Sequence, residues 1–341
     1  TGDWVSGEPD PVQGLLKKGF EPSFYRGLSR DTYKLWAALG LFSYRRCFRE
    51  EADVTVFFDP FLPPGVRGKR VVFLHDLAPL VRPGTLRPQS LARMRLTLRQ
   101  TCRRADRIVT VSQFSKGEIM MLLGVPEERI SVLYWGVDGK EFRPCRDPAV
   151  EARYGLQGGY FLFIGTLEPR KNVTGLVRAF GRFKRETGSA ARLVLAGSEG
   201  PRGAELRSAI AASGCEREIL LPGYVAREDV PPLLSGALAF VFPSFYEGFG
   251  LPVLEAMACG TPVLCGNGAS LPEVAGDGAL LAPPEDEGAL AAALGRLEKD
   301  EELRKTLREK GMERAKRFSW ENAARQLYEI AEDVYGTGGQ N

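Results

Sequence analysis

Residues 238–265 read LAFVFPSFYEGFGLPVLEAMACGTPVLC, an order of residue types typical of a strand, a glycine-rich loop, a helix and a second strand. Pro252 suits the first turn of the helix, because its missing N–H leaves no hydrogen bond unmade there. Gly248 and Gly250 allow the backbone to approach a ligand closely, and the free N–H groups of the helix N-terminus attract an anion. The stretch therefore predicts an anion-binding turn inside an α/β fold.

The rest of the chain repeats this alternation of short apolar runs and helix-length segments. Such alternation predicts parallel sheets covered by helices on both faces, and a Gly- and Pro-rich stretch at 136–158 divides the strands into two series. Strands are predicted at 54–58, 71–74, 107–111, 131–135, 160–164, 192–196, 218–221, 238–242 and 262–265. Helices are predicted at 31–50, 88–105, 112–123, 173–186, 204–213, 251–259, 286–296 and 301–318. Ser319 is expected to cap a last helix, whose apolar stripe would be Trp320, Ala324, Leu327, Tyr328 and Ala331.

Length and composition narrow the class of protein. A chain of 341 residues is long enough for two domains. Its 44% hydrophobic and 26% charged residues exclude a disordered or collagen-like chain, and no apolar run approaches the roughly 20 residues of a membrane-spanning helix. The six cysteines form no CxxC pair, which predicts reduced thiols and a cytoplasmic location. The single histidine, His75, excludes a multi-histidine zinc site.

Charge is distributed unevenly along the chain. The overall net charge is +3, but residues 1–150 carry +7 and residues 151–341 carry −4. The helix at 88–105 is the most basic element: its apolar stripe is Leu91, Met94, Leu98 and Ala105, and its other faces carry Arg93, Arg95, Arg99, Arg103 and Arg104. This face is either simply solvated or a docking surface for an anionic membrane or a lipid-pyrophosphate acceptor. Nucleic acid is not favoured, because no aromatic residues interleave with the arginines.

A pair of cations precedes the helix at 173–186. Arg170 and Lys171 follow a strand and a loop, and Asn172 is expected to cap the helix. Two exposed cations at a helix N-terminus interact unfavourably with the helix dipole, and each interaction costs about 0.3–1 kcal/mol. A bound diphosphate would reverse that effect, so the pair is either a solvated surface or a diphosphate site.

Three further residues are candidates for chemistry. His75 follows the strand at 71–74, at the carboxyl edge where ligands of parallel sheets bind, although a lone histidine is often structural. Glu247 and Glu255 flank the anion-binding turn. The alternative is that Glu255 only stabilises the helix dipole and that Glu247 is a solvated loop residue.

The spacing of Glu247 and Glu255 resembles the E-x7-E signature of the family 4 retaining glycosyltransferases. GTLEPRKN (165–172) is similar to that family's donor-phosphate loop, and FLHDLAPL (73–80) and TVSQFSK (110–116) are similar to the N-terminal domain of its mannosyltransferase-like members. SLPEV (270–274) and RFSWENAA (317–324) also fit, so the resemblance covers roughly residues 53–335. It implies the GT-B architecture, in which two Rossmann-like domains face each other across a cleft.

The resemblance also implies roles for individual residues. Arg170 and Lys171 would neutralise the leaving nucleoside diphosphate in place of a metal, which agrees with the lack of a D-x-D motif. Glu255 would bind the ribose, and Glu247 would hold the sugar hydroxyls or, as the alternative, act as a nucleophile. His75 would contact the donor sugar, with Asp76 orienting its loop or, as the weaker alternative, acting as a base for an inverting reaction. The expected catalytic residues are His75, Glu247, Arg170 and Lys171. The expected donor-binding residues are Gly165, Thr166, Arg170, Lys171, Glu247, Gly248, Phe249, Gly250, Leu251 and Glu255.

The function implied is transfer of a hexose, most simply mannose, from GDP-mannose or a UDP-hexose to a polysaccharide, lipopolysaccharide or glycolipid, with no cofactor. The acceptor-side domain would span 1–148, the nucleotide-sugar domain 149–318, and a helix at 319–335 would cross back. The family's opening strand and Gly-rich turn find no match in residues 1–30, so an incomplete N-terminal domain is expected. The alternatives are a non-catalytic GT-B remnant and a nucleotide-sugar epimerase. The protein is expected in the cytoplasm, with contact to the inner face of the membrane as an option.

Overall fold

The computed structural model describes residues 43–47, 52–82, 88–156, 158–200 and 202–337. The strands in these ranges are β1 (Val54–Phe57), β2 (Lys69–Phe73), β3 (Arg107–Thr110), β4 (Ile130–Val132), β5 (Tyr160–Ile164), β6 (Arg192–Ala196), β7 (Ile219–Gly223), β8 (Ala239–Phe242), β9 (Val263–Gly266) and β10 (Ala279–Ala282). The helices are α1 (Tyr44–Cys47), α2 (Ala78–Val81), α3 (Pro88–Arg104), α4 (Gln113–Leu123), α5 (Pro148–Arg153), α6 (Val173–Thr187), α7 (Gly203–Ala212), α8 (Val230–Gly236), α9 (Leu251–Ala258), α10 (Leu271–Ala275), α11 (Glu287–Lys299), α12 (Glu301–Ala315) and α13 (Trp320–Gly336).

The described strands form two sheets whose pairings are all parallel. The first sheet has the order β1-β2-β3-β4 and the second the order β10-β9-β8-β5-β6-β7. We refer to the part built on β1–β4 as the N-terminal domain and to the part built on β5–β10 as the C-terminal domain. The prediction of an α/β fold with two doubly wound parallel sheets is confirmed.

The core of the C-terminal domain is rich in aromatic side chains. Phe163 and Phe242 come from the adjacent strands β5 and β8, and their stacked rings have centroids 5.8 Å apart. Helix α6 packs between this sheet and α11, with which it shares a buried apolar cluster. The strand order reverses between β5 and β8, and ligands of open parallel sheets bind beyond the carboxyl ends of strands at such a switch point.

Helices cover both faces of the first sheet. On one face, Val72 and Ile108 pack with Leu98 of α3 and Ile119 of α4. On the other, Val71, Phe73 and Val109 pack with Ala323 and Val334 of the last helix, α13. Helix α13 therefore lies against the N-terminal domain, although it follows the C-terminal domain in the chain.

Several details differ from the sequence prediction, which did not include the short helices α2, α5, α8 and α10. Ala323 and Val334 of α13 are buried and Leu327 and Ile330 are partly buried, whereas Ala324 and Tyr328 are exposed, because the helix turns a face one residue away from the expected stripe toward the sheet. Strand β10 was missed, because its sequence ALLA contains no β-branched or aromatic residue. The helix predicted at 31–50 and residues 1–30 lie outside the described residues, except for the turn Tyr44–Cys47.

Candidate functional site

The loops that follow β2, β3 and β8 meet between the two domains. Ser112, which caps helix α4 after β3, donates a hydrogen bond of 2.7 Å from Oγ to the carbonyl of Gly248. A Cβ atom on Gly248 would lie only 2.6 Å from the Cβ of Asp76, in the loop after β2. Gly248 is therefore the residue that lets the loop after β8 touch the N-terminal domain. Phe249, next to it, is buried beside the Trp135 ring at a centroid distance of 5.9 Å.

Glu247 lies between the two predicted phosphate-binding cations. Its Oε2 is 2.8 Å from Arg170 Nη1, and its Oε1 is 2.9 Å from Lys171 Nζ, and only 8% of the residue is exposed. The Lys171 contact is an ion pair whose orientation gives Oε1 no well-aligned hydrogen bond. Arg170 also pairs with Glu168 and donates to the carbonyl of Tyr246 at 2.8 Å. Both predicted phosphate-binding cations therefore pair with the same carboxylate.

We refer to Glu247, Arg170 and Lys171 as the triad. Its burial and its charges both affect the pKa of Arg170. Burial alone would lower the pKa of Arg170, but the adjacent Glu247 and Glu168 outweigh it and raise that pKa. The ammonium of Lys171 also lies 4.6 Å from the centroid of the Phe242 ring, where the electron-rich face attracts a cation. Arg170 and Lys171 therefore lie in a partly buried cluster in which Glu247 and Glu168 offset their charge.

In the loop before α6, the conformation of Asn172 differs from the prediction. Asn172 adopts a left-handed conformation with φ 57°, and its side chain donates to the carbonyl of Pro284 instead of capping α6. The predicted side-chain cap is therefore wrong, and Pro169–Lys171 forms a short 3-10 turn that aims both cations at Glu247. Of the other predicted donor residues here, Gly165 lies close to the Lys171 side chain and Thr166 is exposed.

The N-terminus of α9 offers backbone donors beside the triad. Gly250 has a φ of 103°, which favours glycine, and begins the turn into Leu251 and Pro252. Among the described residues, the amides of Phe249, Gly250 and Leu251 donate to no acceptor. Ser270 holds this backbone in place, since its Oγ lies 2.8 Å from the carbonyl of Glu247 and 2.9 Å from that of Phe249 and shares its one hydrogen between them. The geometry fits the anion-binding turn that the sequence predicts.

Glu255 lies further along α9 and has different neighbours. Burial raises the pKa of Glu255 to about 7, nearby Arg227 opposes the rise, and Glu141 adds to it. Arg227 itself pairs with Glu141 at 2.6 Å. The structure thus gives the two glutamates of the E-x7-E spacing separate environments: Glu247 lies between two cations, whereas Glu255 lies near Arg227 and has a pKa of about 7.

His75 faces the cleft two residues after β2. Its Nε2 is 3.1 Å from the carbonyl of Phe58, and because a carbonyl only accepts, the neutral ring carries its hydrogen on Nε2 and presents a lone pair at Nδ1. Asp76 turns the loop, accepting the amide of Ala78 at 2.9 Å. The ring of His75 lies 5.2 Å from that of Trp135.

Buried polar atoms without partners concentrate at this cleft. In the described ranges, the buried side-chain nitrogens and oxygens that lack a hydrogen bond are His75 Nδ1, Thr110 Oγ1, Ser244 Oγ and Glu247 Oε1. All four lie at or just beyond the carboxyl ends of β2, β3 and β8. Since native proteins satisfy nearly all buried polar groups, their concentration here marks the cleft as a ligand site.

Sequence reasoning missed the residues that join the two domains. Glu273, within the SLPEV segment, accepts the amides of Gln113 at 2.7 Å and Phe114 at 3.0 Å, and the hydroxyl of Tyr134 at 2.8 Å. A carboxylate of one domain thereby satisfies the free N–H groups at a helix N-terminus of the other. Both segments had been recognised as motifs, but no local signal indicates that they meet.

Comparison with known proteins identifies the family. Residues 155–314 match the sequence profile described as Glycosyl transferases group 1, and residues 6–141 match Glycosyltransferase Family 4. The O-antigen chain mannosyltransferase B of Escherichia coli is 39% identical over 281 residues, which span 82% of this chain and 74% of that protein. This chain belongs to the family 4 glycosyltransferases.

Solved structures support the fold of this glycosyltransferase. Sucrose-phosphate synthase from Thermosynechococcus elongatus superimposes with a TM-score of 0.73 at 22% identity, covering 91% of this chain and 81% of that one. Alr3699/HepE from Anabaena, in complex with UDP and glucose, gives a TM-score of 0.67 at 22% identity and covers 77% of this chain and 71% of that one. The glycosyltransferase has the GT-B fold, and the cleft described above is the one between its two domains.

A second concave surface of the glycosyltransferase lies on the N-terminal domain, away from the cleft triad. A groove of about 380 Å³ is lined by Leu80, Val81, Arg95, Arg99, Glu118, Met121, Leu122 and Leu123. Two large apolar side chains that line it are exposed, Met121 to 75% and Leu122 to 40%. None of the described helices has the length and apolar character needed to cross a bilayer.

Proposed function

We propose that this glycosyltransferase moves a hexose, most simply mannose, from a nucleotide sugar such as GDP-mannose or a UDP-hexose to a growing lipopolysaccharide or related glycan. The observation that carries the proposal is the triad of Glu247, Arg170 and Lys171 beside the free amides at the N-terminus of α9. A carboxylate already occupies the anion position between the cations. The mannosyltransferase name of the E. coli relative supports the choice of sugar and acceptor.

Each group in the cleft has a defined task in this proposal. The diphosphate binds Arg170, Lys171 and the amides of Phe249, Gly250 and Leu251, which are fixed before the donor arrives and stabilise the charge that develops on the leaving group. Glu247 then accepts hydrogen bonds from sugar hydroxyls, and His75 accepts one at Nδ1. The carboxylate of Glu255 accepts the vicinal hydroxyls of the ribose.

We further propose that the anomeric configuration is retained. The bond between the sugar C1 and the phosphate oxygen breaks, the acceptor oxygen bonds to C1 on the same face, and the acceptor proton passes to the departing phosphate oxygen. The cations stabilise the developing diphosphate charge, so no metal is required in this step. An NMR assignment of the anomeric configuration in the first product tests this directly, since an inverted product would refute it.

Donor turnover with and without acceptor tests the proposed function. Nucleotide sugars are first screened by thermal shift, and release of nucleoside diphosphate is then measured with and without a lipid-linked oligosaccharide acceptor. Transfer requires release that depends on the acceptor. Release of free nucleoside diphosphate without acceptor would instead indicate a nucleotide-sugar epimerase, and binding without turnover would indicate a non-catalytic GT-B protein.

The groove on the N-terminal domain supports peripheral contact with an anionic membrane. Arg95 and Arg99 of α3 and the exposed apolar side chains Met121 and Leu122 of α4 line the same groove, as in proteins that rest on anionic lipid. Sedimentation with vesicles containing phosphatidylglycerol should be lost in Arg95→Glu/Arg99→Glu and kept in Lys305→Glu, an exposed control on α12. Equal sedimentation of both variants would contradict membrane docking at this surface.

A further inference from the structure

The hydroxyl of Tyr246 lies between the two domains. Tyr246 belongs to the loop after β8, is only 3% exposed, and donates a short hydrogen bond to Oε2 of Glu118 in helix α4. The same hydroxyl accepts the backbone amide of Leu77 at 3.1 Å, in the loop after β2. Its ring packs edge-on against Phe114 with centroids 5.8 Å apart. One side chain of the C-terminal domain is therefore held by two separate elements of the N-terminal domain.

The backbone of Tyr246 is tied to the donor site. Its carbonyl accepts a hydrogen bond of 2.8 Å from Arg170, and the residue directly after it is Glu247. Because the two residues are adjacent in the chain, a shift of Tyr246 also moves Glu247, whose carboxylate pairs with both cations. The hydroxyl bonds and the triad are thus parts of one connected network.

Protonation keeps this network in a single orientation. Burial raises the pKa of the Tyr246 hydroxyl, and the adjacent Glu118 raises it further, so the phenol stays a donor. Burial also raises the pKa of Glu118, which the Tyr246 bond opposes and nearby Asp76 reinforces. Glu118 also lines the groove on the N-terminal domain.

Helix α4 is itself fixed to the C-terminal domain. Ser112 at its N-cap bonds to Gly248, and Glu273 receives the amides of its first turn. The Glu118 contact lies further along the same helix, so α4 cannot tilt without pulling on the loop that carries Glu247. This rigidity allows a single hydroxyl to set the position of the loop.

We propose that Tyr246 is a positioning residue for glycosyl transfer, whose hydroxyl, held by Glu118 and the Leu77 amide, sets the donor-site loop against the N-terminal domain. The inference rests on the proposed function in one respect, namely that Glu247 holds the donor sugar. Transfer needs reacting atoms about 3–3.5 Å apart, and a displacement of about 1 Å is enough to lower a rate about 100-fold. Nucleotide binding uses C-terminal groups alone and does not need this alignment.

Tyr246→Phe removes one oxygen atom and keeps the ring. Transfer should lose about tenfold or more in kcat, while the donor KM and the Kd for nucleoside diphosphate should stay within about twofold, because the lost interaction aligns the bound donor without touching it. Steady-state kinetics with acceptor measure kcat and the donor KM, and calorimetry measures the Kd for nucleoside diphosphate. A kcat within about twofold of wild type, or an equal loss in nucleotide affinity, would overturn the proposal.

Tyr160→Phe is the matched control. Tyr160 is 1% exposed, and its hydroxyl donates to the carbonyl of Leu233 at 2.7 Å, wholly within the C-terminal domain. It should lower Tm through the loss of a buried hydrogen bond and leave kcat unchanged. If both tyrosine variants reduce kcat in proportion to Tm, Tyr246 has a merely structural role.

Variants of Glu118 test its role as the acceptor of the Tyr246 hydroxyl. Glu118→Leu removes the acceptor and should reproduce the kcat loss of Tyr246→Phe, whereas Glu118→Gln keeps an oxygen that can accept the Tyr246 hydroxyl and should recover most of that loss. The double variant Tyr246→Phe/Glu118→Leu should be no worse than either single variant, because both remove the same interaction. Losses that multiply would refute the coupling.

Hydrogen exchange separates this inference from the proposed function. In Tyr246→Phe the amide of Leu77 loses its acceptor, so exchange of the segment 74–78 should quicken, while Tyr160→Phe should leave it unchanged. A wild-type protein that transfers no sugar would refute the proposed function. Unchanged exchange at 74–78 in Tyr246→Phe would refute the contact on which the positioning role depends, whatever the activity.

Discussion

Replacing Glu255 by glutamine should stabilise the ligand-free protein at neutral and alkaline pH. Burial raises the pKa of this carboxyl to about 7 from its ordinary 4.5, despite the opposing charge of Arg227. A rise of that size corresponds to roughly 3 kcal/mol in favour of the protonated form of the folded protein. Glutamine has nearly the same shape and no charge, so the folded variant does not carry the cost of burying an ionised carboxylate.

The sign and the pH window follow from the two pKa values. Below pH 4.5 the carboxyl is protonated in both the folded and the unfolded chain and contributes nothing to the difference. Between pH 4.5 and about 7 the unfolded chain releases its proton first, so the stability of the wild type falls as pH rises. Above about pH 7 the penalty is complete. The stability gain of Glu255→Gln should therefore grow across this window and then level off.

Thermal unfolding of both proteins from about pH 5 to about pH 8 measures the gain, because other titrating groups cancel in the difference. Glu309→Gln, an exposed change on α12, is the control and should show no trend. Nucleoside diphosphate binding should move in the opposite direction: it should strengthen in the wild type as Glu255 ionises and be weaker in the variant at high pH. A pH-independent gain, or a loss of stability, would refute the reasoning.

Other substitutions test the triad and the contact between the domains. Arg170→Ala and Lys171→Ala should each weaken nucleoside diphosphate binding by roughly 1–3 kcal/mol in calorimetry, and unchanged affinity in the double variant would remove them from the phosphate site. Glu247→Gln should bind nucleoside diphosphate more tightly, because a competing carboxylate is gone, yet lose transfer, and weaker binding would contradict that competition. Glu273→Ala leaves two amides of α4 without an acceptor and should lower stability by about 1–3 kcal/mol in urea unfolding, so an unchanged midpoint would contradict the contact. Donor binding should survive excess EDTA, and a strict requirement for Mg²⁺ or Mn²⁺ would contradict the metal-free proposal.

The order of elements could be predicted because it depends on short-range patterns. Buried parallel strands such as YFLFI at 160–164 are continuous apolar runs, and the bounds of this strand were predicted without error, whereas those of β2, β4 and β7 were displaced by one to three residues. The shift of the α13 stripe could not be predicted, because two faces of that helix carry apolar residues. Only the sheet it contacts selects Ala323 and Val334 over Ala324 and Tyr328.

The site was predicted as separate residues and not as a network. Arg170, Lys171 and Glu247 were each named from local motifs, but more than 70 positions separate the cations from the carboxylate, and no local pattern encodes their pairing. Asn172 was assigned as a cap because asparagine favours that position. A left-handed backbone and the carbonyl of Pro284 gave its side chain a tertiary partner instead.

In the proposed metal-free diphosphate site, the two cations need both a counter-charge and a fixed orientation, and the triad provides both. Two cations held in a partly buried position need a counter-charge when no ligand is bound, since an unpaired buried charge is strongly unfavourable. Glu247 supplies that charge and keeps Arg170 and Lys171 aimed at the place where the phosphates would bind. In the proposed function, an entering diphosphate would take over both cations, and Glu247 would lose its partners when the sugar hydroxyls reach it. Binding of the donor phosphate would thus release the carboxylate that holds the sugar, which links recognition of the two ends of the donor in a fixed order.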